Sequence, residues 1–254
     1  ISSGLTEKYG EHRIRATPIS EQAIMGACVG AALAGFRPIA EIMLMNFVTV
    51  CMDQIVNHAA KLRFMSGGQT NVPLVIRTTT GVGVGFGGQH SDMLEAWFAH
   101  VPGLKVVCPS DPVSAYGLLR AAIDDPDPVI FVEHKGLYAM KGEVPETMPI
   151  IPLGQAATLR AGRAVTLVAY GAAAHTAMTA ATTLAGEGIE AEIIDLRSIQ
   201  PWDEQAVLAS LAKTHRLVIV HEAVEAFGVG AEIAARMADI GFDELDGPIL
   251  RVAA

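Results

Sequence analysis

Thr17-Pro18-Ile19-Ser20-Glu21 sets one carboxylate at the mouth of a run, Gln22 to Phe36, in which no residue carries a charge. The run reads as a helix over 21–34, with Ser20 as its cap and Glu21 complementing the dipole of its first turn. Gly26 and Gly30 lie one turn apart on it, which lets another helix approach closely. A carboxylate at the edge of such a surface loses water when a partner docks. That loss raises its pKa and readies it for proton transfer, while the helix dipole pulls the other way. Glu21 therefore has two readings, one as helix-end complement and one as chemical acid.

Outward from this helix, strands and helices alternate. A short extended segment at 37–41 leads into a Met-rich stretch over 42–52 and a helix ending near Gly67-Gly68. A strand over 73–79, a glycine-rich turn from Gly81 to Gly88, a helix over 92–100, a strand over 104–108, a helix over 112–123 and a strand over 129–133 follow. Pro145, Pro149 and Pro152 then give 139–153 the composition of a linker. Beyond it the pattern restarts, with strands over 164–170, 190–195 and 216–221 and helices over 172–187, 203–214 and 229–240. Such alternation predicts an α/β protein of two units, residues 1–148 and 149–254, each a parallel sheet covered on both faces.

Half of the 254 residues are apolar (51%), only 18% are charged, and mean hydropathy is +0.37, which predicts a large subunit interface. The longest charge-free runs stop short of the roughly 20 residues needed to span a membrane. A formal charge of −9 with no Lys/Arg cluster excludes the electrostatic footprint of nucleic-acid binding. Cys28, Cys51 and Cys108 are odd in number, widely spaced and set in apolar segments. With no basic, hydrophobic leader at the N-terminus, they read as reduced core thiols of a cytoplasmic protein.

Gly83, Gly85 and Gly88 match the spacing of a dinucleotide fingerprint, between a strand and a helix, with Asp111 near the place of a ribose-binding acid. Against an NAD-dependent dehydrogenase, Asp111 lies between Pro109-Ser110 and Pro112, the composition of a helix start. Gln89-His90-Ser91 also occupies the place where the helix should already have begun. The turn has a second use, holding His90 at the C-terminal edge of a sheet, where ligands collect and a histidine exchanges protons near neutral pH. His12, His58, His100, His175 and His215 read as structural. No HExxH, CxxC or Gly-x-Ser-x-Gly pattern occurs, which argues against a zinc site or a serine nucleophile. Phe47 reads as core or as a flat stacking surface.

Thr17 to Glu21 with Gly26 and Gly30, Arg37-Pro38-Ile39-Ala40-Glu41, Asp53-Gln54-Ile55, Gln89-His90-Ser91, Pro102-Gly103-Leu104-Lys105-Val106-Val107, and Ile194-Asp195-Leu196-Arg197 before Pro201 come in an order that resembles one family. It is the beta subunit of the thiamine-diphosphate-dependent decarboxylase component of 2-oxo acid dehydrogenase complexes, which includes the acetoin dehydrogenase beta subunit. The resemblance implies a pyrimidine-binding domain, then a transketolase C-terminal-like domain. It also implies an alpha2-beta2 heterotetramer with cofactor at each alpha/beta interface, and a lipoyl-bearing acyltransferase that receives the acyl unit from a 2-oxo acid or acetoin. By resemblance Glu21 hydrogen-bonds the aminopyrimidine, Ile19 contacts the cofactor, Phe47 stacks on the pyrimidine, and His90 donates protons during transfer to the lipoyl group. A potassium site is implied at main-chain oxygens of Leu74, Ala122, Ile123, Asp125 and Asp127. The chain has no Gly-Asp-Gly, so Mg2+ and the diphosphate are expected on an alpha subunit.

The family normally carries a helix, a strand and a Gly-Glu-Asp-type loop before this sequence and a Pro-rich tail after it. A truncation is therefore expected, with an open edge on the first sheet. Ala16 and Asp92 stand where relatives often have a polar or acidic residue and Gln, and Lys141-Gly142-Glu143-Val144-Pro145 leans toward the acetoin branch. A scaffold subunit without chemistry is the remaining reading, in which Glu21 is dispensable.

Overall fold

The computed structural model describes residues 3–83, 85–143 and 145–254; Val84 of the glycine turn and Val144 of the acetoin-leaning stretch lie outside the described residues. The short helix α1 (Leu5–Tyr9) precedes α2 (Glu21–Leu33), the uncharged helix of the opening motif. Next come β1 (Ile39–Leu44), α3 (Met45–Val48), a 3-10 turn at Thr49–Cys51, a π-helical stretch at Asp53–Ala59 and α4 (Leu62–Met65). They are followed by β2 (Val75–Thr80), a 3-10 turn at Gly88–His90, α5 (Glu95–Ala99) and β3 (Lys105–Val107). Then come α6 (Pro112–Asp124), β4 (Val129–His134) and a 3-10 turn at Lys135–Leu137. The rest of the chain gives β5 (Ala157–Arg160), β6 (Val165–Ala169), α7 (Ala173–Gly186), β7 (Ala191–Asp195), β8 (Ser198–Gln200), α8 (Glu204–Thr214), β9 (Leu217–Val220), α9 (Val229–Ile240) and β10 (Leu250–Val252).

Two five-stranded sheets result, ordered β1-β2-β4-β3-β8 and β10-β9-β6-β7-β5. Both are mostly parallel, as the alternation predicts. Neither is wholly so, because β8 runs antiparallel to β3 and β5 antiparallel to β7. Along β4 the side chains divide by period two. Ile130 and Val132 join the large core that continues into the second sheet through Val168, Ile194 and Ile219. Val129 and Phe131 face the opposite way, under Leu118 and Ala122 of α6. In β7, Ile194 enters the shared core while Ile193 packs beneath Ala174, Ala177 and Ala181 of α7.

The strand β8 follows the linker in sequence and yet completes the first sheet. Asp195 ends β7, Arg197 turns the chain with φ 59°, and the Arg197 carbonyl accepts from the Cys108 N–H at 2.7 Å. A non-glycine residue in that left-handed conformation needs local support. The Asp195 carboxylate supplies it by accepting from the Arg197 N–H at 3.2 Å and from the Ser110 hydroxyl.

Several expectations are corrected. The helix expected to end near Gly67-Gly68 changes type at Thr49, Asp53 and Leu62. The helix expected over 92–100 shrinks to Glu95–Ala99, because neighbouring elements take the backbone groups ahead of it. The Asp92 carbonyl accepts from Thr80 Oγ1 at 2.5 Å, and the Leu94 N–H donates to Met45 sulfur at 3.0 Å. Ser20 makes no side-chain cap on α2. The strands β5, β8 and β10 are three to four residues long, too short for periodicity to reveal.

Candidate functional site

Glu21 is the first residue of α2 and is half-buried. Beneath it the 3-10 turn brings in Cys51, whose thiol is pushed up to about 12 by burial first and by the Glu21 carboxylate second. One turn further, Gln54 of the π-helical stretch lies against Gly26 of α2. A Cβ on Gly26 would sit 3.9 Å from Gln54 Cγ, an ordinary van der Waals contact, so packing within the chain does not demand glycine there. The Gln54 Oε1 atom is buried and has no hydrogen-bond partner. π-helical segments often mark functional sites, because the widened turn displaces side chains from the regular helical face.

Phe47 lies in α3, half-buried against the core, and His90 closes the 3-10 turn that ends the glycine loop. Their rings meet edge to face, with centroids 5.4 Å apart and planes at 79°. His90 Nδ1 is buried without a partner. Glu21, Phe47 and His90 therefore stand on α2, α3 and the glycine loop, with α3 touching both that loop and the 3-10 turn on which α2 packs. Ile19 is 82% exposed and makes no core contact, so any part it takes in a site lies toward a partner or through its backbone.

The glycine loop does not have the build of a dinucleotide site. Gly83, Gly85 and Gly87 adopt φ of 80°, 77° and 75°, a conformation glycine reaches without steric cost. The loop runs into a three-residue 3-10 turn, and the next helix has only five residues, so no long helix N-terminus stands ready for a pyrophosphate. Asp111 is engaged as the N-cap of α6, where its side chain accepts from the Ser114 N–H at 2.7 Å in a capping box.

The oxygens implied for potassium gather at the C-terminal end of α6. The donor that would serve the Ala122 carbonyl in a continuing helix is Pro126, which has no N–H. The Arg37 guanidinium already donates to the Ile123 carbonyl at 2.6 Å and the Asp125 carbonyl at 3.2 Å, and Leu74 O accepts from the Val129 N–H at 2.9 Å. Arg63 and Lys105 pair with the Asp127 and Asp125 carboxylates. The place suits positive charge, but its present cations are side chains. An ion bound by all five residues would share two of its oxygens with Arg37, so the set does not fit potassium as it stands.

A buried polar cluster between the sheets escaped sequence reasoning. Glu95 and Tyr170 are hydrogen-bonded at 2.6 Å, burial raises the pKa of both, and His221, lowered by burial, stacks on Tyr170 with centroids 6.2 Å apart. His134 Nε2 lies 2.8 Å from Glu222 Oε2 without the alignment of a hydrogen bond, which sets the end of β4 beside the segment after β9. The available signal was the position of His134 and His221 at the C-terminal ends of parallel strands, where sites of α/β sheets collect. A cavity of about 1870 Å3 adjoins both the Glu21 motif and the end of β4, lined by Thr17, Pro18, Ser20, Arg37, Glu133 and His134 among others, while neither Phe47 nor His90 lines it. Among the described residues no group of three or more His, Cys, Asp or Glu is placed to hold a metal, and no helix is long and apolar enough to cross a membrane.

Comparison with known proteins agrees with this architecture. Residues 2–141 match the family described as transketolase, pyrimidine binding domain, and residues 154–254 match transketolase, C-terminal domain. The chain is 50% identical to the acetoin:2,6-dichlorophenolindophenol oxidoreductase subunit beta of Bacillus subtilis (strain 168), over all of this chain and 74% of that protein. It is 47% identical to the mitochondrial pyruvate dehydrogenase E1 component subunit beta of Drosophila melanogaster, over all of this chain and 71% of that protein. A solved structure described as split gene transketolase, inactive beta4 tetramer, shares the fold with a TM-score of 0.81 and 22% identity, covering all of this chain and 78% of that one. The chain thus belongs to the family of pyruvate and acetoin dehydrogenase beta subunits, built from the transketolase pyrimidine-binding and C-terminal domains.

Proposed function

We propose that this chain is the beta subunit of a thiamine-diphosphate-dependent oxidoreductase that cleaves acetoin or a 2-oxo acid and passes the acyl unit to a lipoyl group. The observation that carries the reading is the contact of the Phe47 and His90 rings, 5.4 Å apart, beside the 3-10 turn on which the helix headed by half-buried Glu21 also packs. The residues fit the aminopyrimidine end of the cofactor: Phe47 offers a flat face, Glu21 a carboxylate and Gln54 Oε1 an unpartnered acceptor. When bound, thiamine diphosphate supplies the electron sink for cleavage next to a carbonyl. Glu21 would hold or accept a proton at the pyrimidine, as a carboxylate placed at that ring can. His90, with Nδ1 buried and unpartnered, delivers a proton at the reacting end.

The same reading assigns Mg2+ and the diphosphate to an alpha subunit in an alpha2-beta2 assembly, a lipoyl-bearing acyltransferase as acceptor, and a cytoplasmic setting. It places the boundary between the two domains at 148/149. Exposed Ile19 (82%), Phe64 (86%) and Met65 (75%) supply apolar surface for the subunit contact.

The test is co-expression with an alpha partner bearing Gly-Asp-Gly. Reduction of 2,6-dichlorophenolindophenol is followed with thiamine diphosphate, Mg2+ and acetoin, pyruvate or branched-chain 2-oxo acids, for wild type and Glu21→Gln. Cofactor-dependent turnover that drops by at least about a hundredfold in Glu21→Gln is expected, from the loss of a general acid–base group. Turnover indifferent to Glu21 in a well-formed complex would overturn the assignment.

A further inference from the structure

The loop that carries His90 is exposed along most of its length, and its described backbone hydrogen bonds reduce to His90 N–H on Gly87 O at 3.3 Å. Two consecutive residues from the end of β4 hold it. His134 packs its ring flat on Gly81, where the loop begins; a Cβ there would stand 2.4 Å from the His134 ring nitrogen Nε2, so only glycine fits. The other ring nitrogen, Nδ1, accepts from the Gly136 N–H at 3.1 Å, which fixes the 3-10 turn that follows, and Nε2 faces Glu222 of the second half at 2.8 Å. Lys135, on that fixed turn, reaches the far end of the loop. Its ammonium donates to the His90 carbonyl oxygen and lies 4.6 Å from the centre of the Phe86 ring.

A cation held over an aromatic face and bound to a carbonyl restrains both groups at once. Phe86 and His90 are four positions apart, so Lys135 fixes the whole second half of the loop, as His134 fixes its start.

We propose that Lys135 is a positioning residue for His90, acting with His134 as a clamp on both ends of loop 81–90. The proposal rests on the reading of His90 as a proton donor in turnover. It requires loss of the Lys135 ammonium to loosen the loop and slow turnover without weakening cofactor binding, which belongs to Glu21 and Phe47.

Lys135→Met keeps the apolar stem and removes the charge; Lys135→Arg keeps a donor able to reach both the carbonyl and the ring. Chymotryptic cleavage of the full chain after Phe86, mapped by mass spectrometry, reads the loop directly. For Lys135→Met we expect cleavage there to rise about fivefold or more as local opening becomes easier. In the complex with the alpha partner we expect kcat to fall about tenfold, with KM and thiamine diphosphate affinity held within about twofold, and Lys135→Arg to restore most of both readouts. Unchanged cleavage after Phe86 in Lys135→Met overturns the clamp whatever the kinetics. Faster cleavage with unchanged kcat overturns the positioning role if His90→Ala is inactive. If His90→Ala is itself fully active, it is the assignment of His90 that fails, and the positioning role falls with it.

Discussion

The helices that cover the second sheet, α7, α8 and α9, run for 14, 11 and 12 residues without changing type. Between β1 and β2 of the first sheet the chain instead passes through four residues of α-helix, three of 3-10, seven of π and four of α. Beneath α7 the regular region packs its apolar side chains within the chain: Ile193, Ala174, Ala177 and Ala181 are all at most 1% exposed. The irregular region leaves Phe64 and Met65 in solvent and Gln54 Oε1 without a partner. Uniform helix optimises internal packing, whereas a change of helical type re-aims side chains outward at the cost of internal contacts. One sheet is covered by long regular helices packed from within the chain; the other carries, between β1 and β2, an irregular and partly exposed surface.

That contrast breaks if scaffold and surface respond alike to truncation. Ile193→Ala in β7 should cost about 3 kcal/mol or more of unfolding free energy, because a fully buried isoleucine leaves a cavity beneath α7. Urea unfolding of the chain measures it, and a loss under about 1 kcal/mol would show that this core is loosely packed.

The join between the sheets should respond to pH. Burial pushes the Asp195 carboxyl from 3.8 to about 6, against the opposing hydrogen bond from Ser110 and the charge of Arg197. A carboxyl with a higher pKa folded than unfolded binds its proton more tightly in the folded state. Its contribution is therefore fully present below about pH 4 and lost as the pH rises through about 6, a change on the order of 2–3 kcal/mol. Unfolding of wild type and Asp195→Asn across that window checks the sign. A wild type that gains stability relative to the variant as the pH rises would contradict it.

Helix ends sharpen the comparison at a smaller scale. Asp203 accepts from the Ala206 N–H at 3.0 Å, so Asp203→Ala should cost about 1 kcal/mol. Ser20 makes no such bond, and Ser20→Ala should change stability by less than about 0.5 kcal/mol. Phe64→Ser, at 86% exposure, should leave the isolated chain within about 0.5 kcal/mol of wild type while weakening association with an alpha partner, measured by analytical ultracentrifugation.

Long elements were legible because each repeats a local pattern. The helices α2, α6, α7, α8 and α9 and the central strands β2, β4, β6, β7 and β9 lie where periodicity and turn residues place them. Asp111 between Ser110 and Pro112 announced the start of α6, and its side chain caps that helix. Of the candidate site, Glu21, Phe47 and His90 were legible through motifs, and the structure brings Phe47 and His90 into ring contact. The shortened α5 was not, because the bonds that replace its first turn come from Thr80 and Met45. Sequence reasoning passed over His134 and Lys135 because their meaning lies in Gly81, Glu222 and His90, each distant along the chain.

By itself the sequence determined two successive α/β units, the uncharged helix headed by Glu21, and the loop that carries His90, since each depends on neighbours within a few residues. Only the tertiary structure decided that β8 crosses back to finish the first sheet, that Arg37 occupies the carbonyls at the end of α6, and that β4 clamps the His90 loop. Those arrangements are set by contacts between groups dozens of residues apart, and no local period in a chain records which distant group will satisfy a given donor or acceptor.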